Sequence, residues 1–303
     1  MKFSLVIPLA PGRDAPILES IKQLDYPKSE FHVVVVRGLN PSENRNKGAE
    51  KAKGKIIAFL DDDATLEKDY LIKAEEFFRK HPEIDIVGGP QLSPHDESGF
   101  AKISGYGLNS EFGAFGRVHR YSPKKENFEA DESMLTSANL LCKKDVLKTV
   151  KFDIKLFPGE DPKFIDDAKK AGFKIAYSPE FIVYHKRRPT IKAFSKQMFN
   201  YGKTRPFKDG FLDTLKRPYV LVPSVFVIYL AFVIFFFGYN FAVTGNAISH
   251  DYPQIPIKVP YLNMILLIPI ALYFIISLIF SFYDSRKNKH LKAFFAMPFI
   301  YFL

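Results

Sequence analysis

The chain has 303 residues, a formal net charge of +10 and one cysteine, Cys142. A single cysteine excludes an internal disulfide and suits a reducing compartment. The positive charge calls for anionic partners, but no helix-turn-helix, zinc-finger or RNA-binding pattern accompanies it; its crowding into Lys186–Arg217, just before an apolar run, favours phosphates and membrane headgroups over nucleic acid.

In chain order, Phe3–Pro8 is a short apolar run ended by Pro and Gly, which predicts a buried parallel strand and is too short for a signal peptide. Ala15–Leu24 reads as a helix with Ile17, Leu18, Ile21 and Leu24 on one face. Phe31–Val36 is β-branched and predicts a second strand. Ser42–Lys53 reads as a polar helix, Ile56–Leu60 as a third strand ending in Asp61-Asp62-Asp63, Tyr70–Lys80 as a helix and Asp85–Val87 as a further strand. Alternating strand and helix patterns predict a mostly parallel α/β sheet. In such sheets ligands bind beyond the carboxyl ends of the strands, where Asp61–Asp63 and the Pro8–Arg13 loop fall.

Further on, Thr190–Tyr201 has helical spacing, with Ile191, Phe194, Met198 and Tyr201 on one side, as for a helix lying in a membrane interface. Tyr219–Val243, roughly 25 residues without a charged side chain, is long enough to cross a hydrocarbon core about 30 Å thick. Tyr261–Tyr283 is a second such run. The link between them carries only Lys258, whereas both outer flanks are basic, so the flanks are expected to be cytoplasmic. Residues 293–303 are apolar but too short to span, which leaves an interfacial segment or a third helix cut short. The expected organisation is a cytoplasmic α/β domain (1–186), a basic amphipathic segment (187–218) and a multi-pass membrane region (219–303) in the cell membrane.

Three successive acids at a strand end repel one another unless a cation or solvent neutralises them. Carboxylates with open positions suit Mg²⁺ or Mn²⁺, which also take diphosphate oxygens. A solvated acidic turn is the other reading of the same three residues.

The stretch Asn44–Asp63, followed in order by Ser137-Ala-Asn139, Phe152-Asp153 and Phe157-Pro-Gly-Glu-Asp161, resembles the inverting family 2 glycosyltransferases with a Rossmann-like GT-A fold. The resemblance covers roughly Lys2–Arg205. It implies an Asp-x-Asp motif with Asp63 on Mn²⁺ or Mg²⁺ and Asp61 toward the ribose or the metal. It places Pro8, Ala10, Arg37, Arg45, Asn46 and Asp62 near the nucleotide-sugar. It implies Asp161 as the catalytic base with Glu160 beside it, and His185 either as a metal ligand or as a structural histidine. Asn139, Gln197, Tyr201 and Arg205 fall at acceptor-side positions.

Two departures from the family pattern bear on substrate. Many relatives carry Asp-Asp-Gly-Ser after the second strand, whereas here Arg37-Gly38-Leu39-Asn40 leads almost directly to Arg45-Asn46, so the usual intervening helix and strand look deleted. The base-recognition wall is therefore rebuilt, leaving a UDP or a GDP donor open, with Arg37 facing guanine, phosphate or solvent. The Gln-x-x-Arg-Trp of processive synthases is replaced by Gln197-Met-Phe-Asn-Tyr201. Gly88-Gly89-Pro90, Phe112–Arg117 and Tyr201–Arg205 look more like the succinoglycan-synthesis type, which implies addition of single sugars to lipid-linked oligosaccharides. Arg187, Arg188, Lys203 and Arg205 are either a plain positive flank or a cradle for the phosphates of a polyprenyl carrier. The expected reaction is transfer of one sugar to a hydroxyl of a lipid-linked saccharide. Transfer to polyprenyl phosphate, processive synthesis and a non-catalytic scaffold are the competing readings.

Overall fold

The structure is a computed structural model that describes residues 1–208, 214–215, 221–247 and 260–303, side chains of 243–247 and 260–262 excepted. The central sheet has six strands. They are β1 (Phe3–Leu9), β2 (Phe31–Arg37), β3 (Ile56–Leu60), β5 (Ile86–Gly88), β7 (Asn139–Lys143) and β8 (Ile175–Tyr177), in the order β2-β1-β3-β7-β5-β8. All pairs are parallel except those made by β7, which runs against β3 and β5. A small second sheet joins β4 (Ala64–Leu66), β9 (Val183–His185) and β6 (Gln91–Leu92).

Alternation along β1 explains the two cores. Phe3, Leu5 and Ile7 pack on one face with Ile17 and Ile21 of α1 (Ile17–Lys22) and Tyr70 and Phe77 of α3 (Tyr70–Lys80). Val6 faces the other side with Phe59, Leu140, Phe152 and Phe164 of α7 (Glu160–Lys170). A strand covered on both faces has no polar side to present, which is why β1 reads as one apolar run. The β2 strand is followed after three residues by α2 (Pro41–Lys51), with no helix or strand between them. Asn40 caps α2 by accepting from the Glu43 amide at 3.1 Å. The first two predicted helices are thus each shorter than expected, and the strands agree to within a residue or two.

Between β6 and β7 lie α4 (Gly99–Leu108), α5 (Glu111–Ala114), a 3₁₀ turn at Val118–Arg120 and, after β7, α6 (Val146–Thr149). Beyond the domain come α8 (Ile191–Lys208), α9 (Val222–Ala247) and α10 (Pro260–Lys287). Windows Val222–Ala242 and Asn263–Lys287 are long and apolar enough to cross a membrane, with mean hydropathies of 2.2 and 2.7. A core helix of a soluble protein would be covered, yet only 6% and 11% of these windows is buried. Residues Arg217, Tyr219 and Lys258, on which the sequence reading of the flanks partly rests, lie outside the described residues.

A 3₁₀ turn (Leu291–Phe295) and α11 (Met297–Phe302) fold back onto α10 and α4. Ala293, Met297 and Ile300 are buried. The approach is close: a Cβ on Gly107 would sit 2.4 Å from Ile300 Cγ2. Phe112 stacks on Phe280 at 5.2 Å and meets Tyr301 edge-on, also at 5.2 Å. The Tyr301 hydroxyl donates to Asp284 Oδ2 at 2.6 Å.

The predicted interfacial helix Thr190–Tyr201 continues to Lys208, because its last turns carry anchors. Arg205 donates to both oxygens of Glu132 at 2.9 and 3.1 Å, and Lys208 Nζ lies 3.3 Å from Glu132. Burial opposes ionisation of Glu132. The hydrogen bonds from Arg205 and the charge of Lys208 win and hold its pKa at about 2, below the usual carboxylate range. A depressed carboxylate pKa contributes stability that is present above about pH 4.5 and lost as the pH falls through about 2. Hydrogen exchange of α8, corrected for intrinsic rates, should therefore accelerate over that window. Glu132→Gln should show the faster exchange already at neutral pH; protection that ignores both changes would refute the anchor.

Candidate active site

The site begins at the carboxyl end of β3, where the chain passes from Leu60 into Asp61, Asp62 and Asp63. The next strand, β4, pairs antiparallel with β9 in a register that sets Ala64 opposite His185. This pairing carries the imidazole to the acids. His185 Nε2 lies 3.0 Å from Asp63 Oδ1 and 3.5 Å from Asp61 Oδ2. Burial opposes a charged His185, but the hydrogen bonds to Asp61 and Asp63 outweigh it and raise its pKa to about 9. Asp63 is held well below the usual range: burial is outweighed by His185 and Arg13. Asp62 behaves oppositely, being raised by burial and by the charge of Asp63.

One donor atom from each of Asp61, Asp63 and His185 falls within 4.8 Å of the other two. Two carboxylates and an imidazole fit a Mn²⁺ or Mg²⁺ ion and leave positions for diphosphate oxygens. Arg13, on the β1 loop, reaches the same acids, with Nε 3.1 Å from Asp62 and an Nη 3.2 Å from Asp63. Its role escaped the sequence reading, although a cation within the Pro8–Arg13 loop facing three acids was a usable signal. Pro8 is a buried strand residue and Ala10 borders the loop. Arg37 is exposed at the end of β2, where it donates to the Arg13 carbonyl at 3.4 Å.

Across the cleft stands the start of α7. Arg45 of α2 is buried and joins the two sides. It donates to Asp61 Oδ1 at 3.0 Å and to Glu160 Oε1 at 2.9 Å, and lies 3.8 Å from Asp161 Oδ1. Its guanidinium also sits 5.5 Å from the Phe152 ring centroid. Burial and the neighbouring Asp161 raise Glu160 to about 8 despite Arg45. The Ser137 hydroxyl donates to Asp161 Oδ1. Asp161 is partly open, with a side-chain exposure of 21% against 5% for Glu160.

Several expected site residues have other duties. Glu160, expected beside the base, is buried and accepts from Arg45 at 2.9 Å. Asn46 exchanges two hydrogen bonds with the backbone of Phe152, at 2.8 and 3.0 Å, and so pins the loop leading to α7. Asn139 is buried and accepts from the Tyr70 hydroxyl at 2.7 Å while donating to the Phe181 carbonyl at 2.6 Å. Its amide fixes β7 and has no open face for a sugar. Arg205 is engaged by Glu132, and Arg187 by Gln91, Ser93 and the Tyr121 ring. Arg188 and Lys203 remain exposed. Gln197 donates to the Tyr201 hydroxyl at 2.9 Å, and that hydroxyl is raised to about 12 by burial, by Tyr121 and by the charge of Asp161.

A mostly parallel α/β sheet with an Asp-x-Asp motif and a histidine at its carboxyl edge is the architecture of GT-A transferases. Residues 4–202 match the model of the glycosyltransferase like family 2, and the chain belongs to that family. It is similar to glycosyltransferase AglE of Haloferax volcanii, with 24% identity over 208 residues, covering 68% of this chain and 64% of that protein's length. Among solved structures it is similar to S. aureus TarS 1–349 in complex with UDP-GlcNAc, at 20% identity and a TM-score of 0.47, covering 62% of this chain and 59% of that one. It is similar also to A197 from STIV, at 17% identity and a TM-score of 0.42, covering 61% and 85%.

Arg45 generates the test of this geometry. Arg45→Met takes a hydrogen-bond donor from the buried Glu160 and a cation from Asp61, and leaving a buried polar group unsatisfied costs about 1–3 kcal/mol. Denaturant unfolding should register that loss. Arg45→Lys should recover only part of it, since an ammonium cannot reach both carboxylates with a fork. A variant as stable as the wild type would show that the guanidinium does not hold the cleft.

Proposed function

We propose that the protein is a membrane-held, metal-dependent inverting glycosyltransferase that moves one sugar from a nucleotide-sugar to a hydroxyl of a lipid-linked saccharide. The observation that carries this reading is the opposition of two groups across one cleft. Asp61, Asp63 and His185 form a group suited to a metal, and Asp161 lies on the other side of Arg45, 3.8 Å from its guanidinium.

Asp61, Asp63 and His185 would hold Mn²⁺ or Mg²⁺, which when bound supplies Lewis-acid stabilisation of the departing diphosphate. Arg13 lies within reach of the same charge and is free to turn from the acids to a phosphate oxygen. Asp161 accepts the proton of the acceptor hydroxyl as that oxygen attacks the anomeric carbon. Ser137 orients the carboxylate by donating to Oδ1, and Arg45 lies 3.8 Å from the same oxygen. One displacement with the nucleophile opposite the leaving group inverts the anomeric centre. The replacement of Arg and Trp by Asn200 and Tyr201, with two spans, supports single additions of the succinoglycan-synthesis type over an extruding channel. Basic flanks support a cytoplasmic catalytic domain on a multi-pass anchor.

Nucleotide release from a panel of UDP-, GDP- and dTDP-sugars, with and without membrane lipid extract, tests the reading. Release should need Mn²⁺ or Mg²⁺ and the lipid extract, and Asp63→Ala should abolish it. Asp161→Asn should lower turnover by about 10²–10⁴-fold, the scale of a lost general base. Near-normal turnover in that variant would point instead to an ionised phosphate acceptor, which needs no base.

A further inference from the structure

One face of α8 is left open among the described residues. Lys192, Lys196, Phe199, Lys203 and Phe207 follow one another at helical spacing, so at 3.6 residues per turn they share an arc of about 80°. The three lysines are exposed, and Phe199 and Phe207 are 71% and 76% exposed. The domain takes the opposite face. Phe194 is buried against Phe100 of α4, with ring centroids 6.0 Å apart, while Arg205 and Lys208 meet Glu132 and Asp166. The sequence reading groups Phe194 with Ile191, Met198 and Tyr201 on an interfacial side. Phe194 faces the domain instead, and the open face is the mixed stripe of lysine and phenylalanine.

Charge and position say what covers that stripe. Lys186–Lys208 contains no Asp or Glu, so no side chain of α8 offsets the lysines. Large apolar groups exposed together mark an interaction surface, and here they alternate with cations. The fold also sets α8 beside the apolar helices. Helix α4 carries Phe100, which meets α8, near its start, and at its end Asn109 accepts from Lys287 Nζ at 3.1 Å. The nine residues between these contacts span about 14 Å of helix. Arg286 and Lys287 are the exposed basic end of α10, and such residues stand at headgroup level where an apolar helix leaves a bilayer. The open face of α8 thus belongs to a helix that α4 holds close to that level. Ammonium groups there meet lipid phosphates, and the phenylalanine rings enter beneath them.

We propose that the Lys192–Phe207 face of α8 lies on the membrane surface and selects anionic lipid headgroups, as a contact separate from the apolar helices. The inference rests on the reading of α9 and α10 as membrane spans.

The chain has no tryptophan, so Phe199→Trp puts a single indole on this face. The full chain carrying it is placed in nanodiscs of phosphatidylcholine, alone or mixed with phosphatidylglycerol. In the mixed nanodiscs its emission should shift to the blue and be quenched by lipid brominated close to the headgroup; in phosphatidylcholine alone both effects should shrink. Exchanging Lys192, Lys196 and Lys203 together for Gln should abolish the difference between the two lipids. Salt at about 1 M, which confines electrostatic attraction to about 3 Å, should weaken it. Phe207→Trp repeats the measurement should the first variant fail to fold. Water-like, unquenched emission in both lipids would overturn the proposal. A blue shift without quenching would do the same by placing protein on the face, and equal quenching in both lipids would remove the selectivity. A second reporter, Phe274→Trp in α10, separates the two levels. Its failure to be quenched by lipid brominated deep in the acyl chains defeats the membrane reading. Quenching there beside a water-like indole in Phe199→Trp defeats this inference alone.

Discussion

The cleft depends on one buried guanidinium. Arg45 meets Asp61 from the end of β3 and Glu160 from the start of α7, two groups far apart in the chain. Buried ion pairs contribute little net stability compared with apolar packing, because desolvation offsets the attraction. What they do supply here is geometry. The planar fork of an arginine fixes both the distance and the direction of its two acceptors. The neighbouring residue adds a second tie, since Asn46 binds the backbone of Phe152, whose ring lies beside Arg45. Two consecutive residues of α2 thus hold the donor-side acids and the loop that delivers Asp161. The width of the cleft follows from the position of that helix.

Charge accounts for the rest of the donor side. Asp61, Asp62 and Asp63 cannot share a strand end without neutralisation, and the chain supplies it from three directions. Arg45 comes from α2, Arg13 from the β1 loop, and His185 from the small second sheet. The histidine depends on the antiparallel register of β4 and β9, so a sheet of three short strands has a chemical purpose beyond packing. Arg13 differs from Arg45 in one respect. It is half exposed and its guanidinium is tied only by side-chain contacts, so it can turn from the acids without disturbing the core.

Much of this was legible locally. Buried strands announce themselves as short apolar runs, and Phe3–Pro8, Phe31–Val36 and Ile56–Leu60 fall within a residue of β1, β2 and β3. The acids at a strand end and the ordered motifs after them marked the site. What local pattern does not encode is which polar atoms are already taken. Asn139 and Asn46 look like ligand-binding amides, but Tyr70, Phe181 and Phe152 claim them through contacts made only in the fold. Arg205 and Arg187 look like free cations for the same reason. The apolar run at 293–303 gives no local sign of its partner, and Gly107, far earlier in the chain, lets Ile300 close in.

That docking also bears on how the apolar helices are joined to the α/β domain. A domain joined to them only through α8 could tilt about that helix. Here α8 is fastened by Glu132 and Asp166, while α11 and the Phe112 stack fasten α4 and α5 to α10 at a second place. Two separated attachments remove the tilt that one permits. The segment between them carries the Phe112–Arg117 turn. Positioning is then done once by the fold, and each encounter loses less orientational freedom at the moment of reaction.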